Sequence, residues 1–301
     1  MEFGFLTSLL NSMGFEGIVE WAKERGFSCI EAAAWPKGAD KICIYYAATV
    51  DAGSLDEEEA LKKKAVLDKH GIRISSFAYY DNNLEPDNDK RRSIHEHLKA
   101  VIKAAHLLGV ELVGTFIGRD PHCDIKENIA KAIPIIKDFT DYAGDLGVTL
   151  MIENCPMVGW QREHLIGNVF YEPSIWERFF ERIESKSFGM NFDPSHLTWQ
   201  RIDYCEVMRE FADKIRHFHA KDTQVVEDVL HRNGIYSEGW WKPVIPAGDG
   251  DINWGSVFNT IKEIGYKGPV SIEFEDERYE TSQEKVKEGL VKTLHYLQSQ
   301  L

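Results

Sequence analysis

LTSLLNSMG, residues 6–14, is the turn that follows the first apolar run of the chain, EFGFL at 2–6. In an open, doubly wound sheet this turn carries G-x-G-x-x-G, whose glycines let the backbone approach a pyrophosphate. Within this turn no glycine stands before Gly14. Seven further β-rich runs follow: FSCIEA, IRISSF, VELVGTF, VTLMIE, SFGMNF, IRHFHA and PVSIEF. Between them lie stretches with apolar residues at helical spacing, such as MGFEGIVEWAKERG, SIHEHLKAVIKAAHLLG and INWGSVFNTIKEIG. Several close on a glycine (Gly26, Gly71, Gly109, Gly147, Gly265) just before the next run, the usual C-terminal stop of a helix. Strands alternating with helices imply a parallel sheet, and eight such units without a dinucleotide turn imply closure. The expected fold is α/β, a single (β/α)8 TIM barrel forming one domain over residues 1–301.

The formal charge of −14 opposes binding to phosphate backbones or anionic bilayers, so neither nucleic acid nor membrane is an expected partner. No run approaches the roughly 18 apolar residues that a membrane span requires. The opening MEFGFLTSLLNSMG has no basic leader, so no signal peptide is expected. The five cysteines are odd in number and none are spaced CxxC, which points to reduced thiols and a cytoplasmic location. Cys155 stands near Glu153, but no nucleophile signature surrounds it. Longer insertions follow the second run (Trp35 to Leu55), the third (Tyr79 to Asp89) and the seventh (Asp222 to Asp251), at the barrel face where active sites form. In the last, Trp240 and Trp241 either close over a ligand or pack the loop onto the rim.

Side chains alternate along a strand, so every second residue faces the barrel interior. If Ile152, Phe192, Phe218 and Ile272 face the helices, then Glu153, Asp193, His219 and Glu273 face inward at the tops of four consecutive strands. Beneath them would lie Met151, Asn191, His217 and Ser271. Each polar residue alone has a structural explanation: Asp193-Pro194 resembles a helix start, Glu153 could pair with a lysine, and His219 could be a satisfied core histidine. Their coincidence does not. Three carboxylates meeting one imidazole in a desolvated mouth need a counterion. Three oxygen donors and one nitrogen, without thiolate, favour one divalent ion, Mn²⁺ ahead of Mg²⁺, Co²⁺ or Zn²⁺.

The stretches IENCPM, NFDPSHLTWQ, HFHAKDT, PAGDGDINW and GYKGPVSIEFED resemble the xylose isomerase-like barrels, the sugar phosphate isomerases and epimerases that include ketose 3-epimerases and inosose dehydratases. The resemblance runs through essentially the whole chain. It implies that Glu153, Asp193, His219 and Glu273 hold the metal, that the two glutamates also move protons, and that His196 contacts substrate. Two positions depart from the ketose 3-epimerase pattern: Gly159 stands where those enzymes have a further glutamate, and Val225 where they have an arginine. Lys221 is then the candidate positive charge, with Arg119 and His122 as further phosphate contacts and Trp35 among the aromatics that could stack on a sugar. The histidines that a three-zinc apurinic-site endonuclease uses are missing from FAYY and TFIG.

The expected chemistry is removal of a proton next to a carbonyl through an enediolate, with Glu153 and Glu273 as the acid–base pair. The expected substrate is a small carbohydrate, for isomerisation or epimerisation. Dehydration of a keto-sugar or keto-inositol at the same site is the enzymatic alternative, and a metal-dependent sugar-binding barrel without turnover is the non-enzymatic one. Barrels of this kind commonly pair through their helices, which leaves a homo-oligomer open.

Overall fold

The computed structural model describes residues 1–157 and 167–301; Gly159 lies outside the described residues. Seven parallel strands run in chain order, β1 (Phe3–Phe5), β2 (Cys29–Ala33), β3 (Arg73–Ala78), β4 (Leu112–Thr115), β5 (Thr149–Glu153), β6 (Phe188–Phe192) and β7 (Ile215–Ala220). Two short strands, β8 (Asp222–Val225) and β9 (Trp241–Val244), pair antiparallel in the insertion after β7, and β10 (Val270–Ile272) completes the eight-stranded sheet. Its order is β1-β10-β7-β6-β5-β4-β3-β2. The two edges meet through a parallel bridge from Leu6 to Glu31. Thr7 N donates to Glu31 O at 3.0 Å and Ser28 N to Phe3 O at 2.9 Å, so the backbone is paired around the circle. This is the expected (β/α)8 barrel.

The helices are α1 (Gly14–Glu24), α2 (Glu57–His70), α3 (Asn88–Leu108), α4 (Ile125–Asp145), α5 (Pro173–Arg182), α6 (Ser195–Trp199), α7 (Tyr204–Glu210), α8 (Glu227–Asn233, within the insertion), α9 (Trp254–Glu263) and α10 (Gln283–Ser299). Helices α2 and α3 start on Asp56 and Asp87, whose carboxylates accept backbone N–H groups, and stop at Gly71 and Gly109. Those glycines have φ of 62° and 73°, the left-handed conformation that a C-terminal cap requires. Among the described residues no helix is long and apolar enough to cross a membrane.

The greasy core lies between strands and helices, where Phe192 and Phe218 are fully buried as their outward phase requires. The barrel lumen is different. Glu31, Ser76, Asn191, His217 and His219 are all at 0% exposure. Burying that many polar groups is tolerable only if they satisfy one another, and this lumen network supports the site above it.

Candidate active site

Four inward side chains converge at the C-terminal ends of the strands. Glu153 closes β5, Asp193 follows β6, His219 lies near the end of β7, and Glu273 follows β10. One donor atom from each lies within 4.8 Å of the others. His219 Nδ1 is 3.0 Å from Glu153 Oε1 and 3.0 Å from Glu273 Oε2. The strands are staggered, so that Glu153 registers with Asn191 and His219 with Ser271. The four groups therefore meet by tilt and side-chain reach rather than by lying at one level.

Asp193 serves two purposes. Its Oδ1 accepts Ser195 N at 2.7 Å at the start of α6, while Oδ2 faces Lys221 Nζ at 3.2 Å and His196 Nε2 at 3.3 Å. Asn154 clamps its backbone, accepting Asp193 N and donating to Asp193 O, both at 2.8 Å. Lys221, 2% exposed, also reaches Glu273 Oε2 at 2.8 Å and Glu275 Oε1 at 3.9 Å.

The electrostatics are strained toward negative charge. Burial, and then the charge of Glu273, push the Glu153 carboxyl up to about 8. Burial also raises Glu273, but Lys221 and His219 outweigh it and hold that carboxyl well below the usual range. Burial raises Asp193 against the pull of Lys221. His219 is held well above its ordinary value: burial opposes its charge, and Glu31, Glu273 and Glu153 overcome that. A carboxyl whose proton is held up into the neutral range sits where positive charge is short.

A divalent ion fits these residues. The buried Asp193 Oδ2 makes no hydrogen bond among the described residues; Lys221 Nζ faces it at 3.2 Å, and a cation could share that oxygen. The donor set of three carboxylates and an imidazole suits a hard or borderline cation.

Above the cluster opens a cavity of about 330 Å³, walled by Trp35, Tyr46, Tyr80, Phe116 and Met157, with Glu153, His196, Lys221 and Glu273 at its polar end. Trp35 stacks on Tyr46 with centroids 5.4 Å apart and planes at 11°. His196 is 3% exposed, and neither ring nitrogen makes a hydrogen bond among the described residues. Burial, then Lys221, hold it neutral, well below its ordinary pKa. Three other expectations fare differently. Arg119 is not among the residues lining the cavity. His122, 77% exposed, lies against Asp120 at 3.1 Å. Trp240 and Trp241 pack with Trp199 and Val225 in a separate cluster, Trp241 stacked on Trp199 at 4.8 Å and 7°. These tryptophans brace the β8–β9 insertion on the rim.

The structure also brings in Glu31, which the reading of strand tops had passed over. From β2, across the lumen, its Oε2 lies 2.9 Å from His219 Nε2. An acidic residue inside the otherwise apolar CIEAA was the available signal.

The chain belongs to the xylose isomerase-like TIM barrel family, whose model matches residues 19–298. YfiH from Bacillus subtilis is 23% identical over 300 residues, covering 92% of this chain and 93% of YfiH. An inosose dehydratase from Clostridium perfringens is 25% identical over 117 residues, 38% of this chain and 39% of that enzyme. Among solved structures, the IOLI protein with a binding zinc atom superposes with a TM-score of 0.73 at 17% identity, over 100% of this chain and 99% of its own. D-psicose 3-epimerase in the presence of D-fructose gives 0.70 at 16% identity over 98% of both chains. At those identities the superpositions show a shared fold.

Proposed function

We propose that residues 1–301 form one barrel domain that acts in the cytoplasm as a sugar isomerase or epimerase, dependent on one divalent ion, with Mn²⁺ the preferred metal. The observation that carries this reading is the placement of Glu153 and Glu273. They reach the same imidazole nitrogen at 3.0 Å from strands separated by β6 and β7. Two carboxylates approaching one point from different parts of the wall can address both faces of a bound carbon; simple binding has no use for such a pair.

Glu153, Asp193, His219 and Glu273 would hold the ion, whose chemistry is to polarise the sugar carbonyl and acidify the C–H beside it. One glutamate takes that proton. The other returns a proton to the opposite face for epimerisation, or to the neighbouring carbon for isomerisation. Lys221 keeps Glu273 ionised and aimed through its 2.8 Å contact. His196, neutral and with no hydrogen bond on Nδ1 at the cavity wall, hydrogen-bonds a sugar hydroxyl, and the Trp35–Tyr46 stack covers an apolar sugar face.

Dehydration at the same site is the second reading. Val225, at the position of the ketose 3-epimerase arginine, is buried against the tryptophan cluster. A substrate other than a ketose is therefore in keeping with the structure, as is the similarity to an inosose dehydratase. The test is incubation of Mn²⁺-loaded protein in deuterated water with free and phosphorylated ketoses, aldoses and keto-inositols. Deuterium at an inverted or neighbouring carbon supports the first reading, and a product lighter by one water establishes the second. No exchange with any sugar that binds would leave a binding barrel.

A further inference from the structure

We infer that Glu31 is a positioning residue: it sets which nitrogen of His219 is offered to the ion, and in what direction. This rests on the metal-binding reading of Glu153, Asp193, His219 and Glu273. The imidazole of His219 is fully buried and held at both ends. Nδ1 faces Glu153 and Glu273 at 3.0 Å each, and Nε2 faces Glu31 Oε2 at 2.9 Å. A carboxylate accepts hydrogen bonds and donates none, so at this distance Glu31 requires a proton on Nε2; Asn191 Nδ2 lies 2.9 Å from the same nitrogen but donates to Tyr80 OH at the shorter distance of 2.7 Å. A metal binds only the neutral imidazole, and with its one proton kept on Nε2 by Glu31 the nitrogen left bare for the ion is Nδ1, the one pointing into the carboxylate cluster. Carboxylate–imidazole–metal arrays are oriented in this way, and losing the outer carboxylate costs about 10–100-fold in metal affinity.

Glu31 is itself prepared for the task. The pairing of β2 with β3 slips between Ile30 and Glu31, and an irregularity of that kind re-aims the side chain that follows it. Its backbone O accepts Thr7 N at 3.0 Å where the barrel closes. Its Oε1 accepts Tyr80 OH at 3.0 Å, and Tyr80 OH in turn accepts Asn191 Nδ2 at 2.7 Å. Tyr80 can lie there because β4 has Gly114 opposite: a Cβ at that position would stand 2.8 Å from Tyr80 Cζ. Glu31, His217 and His219 also bring donor atoms within 4.8 Å of one another. That grouping could be read as a lower ion site. Nε2 cannot both carry the proton that Glu31 needs and ligate an ion, and the wider donor set lies on the Nδ1 side.

The test is calorimetric titration of metal-stripped full-length protein with MnCl₂, comparing wild type with Glu31→Gln, Glu31→Asp and Asp193→Asn, each checked for fold by circular dichroism. Expected are one ion per wild-type chain and a Kd about 10–100-fold weaker in Glu31→Gln at unchanged stoichiometry, with Glu31→Asp between the two. Asp193→Asn, lacking a ligand, should bind more weakly still. If Glu31→Gln fails to fold, the Kd of Glu31→Asp decides the matter, a weakening supporting the assignment. A residue that only stabilised the barrel would lower the melting temperature and leave the Kd of the folded variants within twofold of wild type, which overturns the inference. Loss of the ion from Glu31→Gln with retention in Asp193→Asn would make Glu31 a ligand and also overturn it. A wild-type chain that binds no Mn²⁺, Mg²⁺, Co²⁺ or Zn²⁺ would overturn the metal reading itself, a different failure.

Discussion

Lys221→Met removes one ammonium from the cluster while keeping most of the side chain's volume, and its cost can be worked from the contacts. Nζ is 2.8 Å from Glu273 and 3.2 Å from Asp193. At an effective dielectric of about 20, those pairs are worth roughly 6 and 5 kcal/mol of gross attraction. Desolvating the lysine offsets much of that. Deleting one partner of a buried pair leaves a net loss of about 3–5 kcal/mol, because the other charge stays buried without compensation. Set against a total stability of about 5–15 kcal/mol, this is a large fraction. The assay is urea unfolding of metal-stripped protein, followed by tryptophan fluorescence, with and without saturating Mn²⁺. The stripped variant should lose about 3–5 kcal/mol. Added Mn²⁺ should recover part of the difference, because a cation among Glu153, Asp193 and Glu273 supplies the missing charge. A stripped-protein gap below about 1 kcal/mol, the value of an exposed pair, would refute the claim that Lys221 is electrostatically committed to these carboxylates.

Two further outcomes follow from the insertion after β7. The buried Asp222 carboxyl is pushed up to about 7 by burial, against hydrogen bonds from Trp254 Nε1 at 2.8 Å, Thr223 N at 2.8 Å and Ile252 N at 3.1 Å. An aspartate whose folded pKa exceeds its unfolded value, about 3.9, gives stability that is present below pH 4 and lost as pH rises through about 7. Wild type should therefore lose stability relative to Asp222→Asn between pH 4 and 7 and level off above; a pH-independent difference in urea melts would contradict this. Trp241→Ala should cost about 3–5 kcal/mol through its lost burial and the cavity left beside Trp199 while leaving the Kd for Mn²⁺ within twofold, and a larger drop in affinity would tie this cluster to the site.

What could be read from the sequence is what depends on local rules. Strand alternation needs only one outward apolar residue to set its phase, so Phe192 and Phe218 were enough to turn Asp193 and His219 inward. The same rule could not be carried to Glu31 in this way. The β2–β3 register slips beside it, and its worth depends on His219, 188 positions along the chain. Tyr80 falls in the insertion after the third run; its place in the lumen is decided by the missing side chain of Gly114 on the next strand. The role of Trp240 and Trp241 turned on Trp199, which no period in the insertion encodes. Lys221 shows the limit most clearly. Its spacing from His219 marks it as a charge near the site, yet only the convergence of Asp193, Glu273 and Glu275 shows that the charge is already engaged. The proposed ligands are thus legible strand by strand, whereas the groups that would orient and neutralise them come from other strands. A reading that extended the inward phase to all eight strands, allowing one slip per strand, would have placed Glu31 among the candidates.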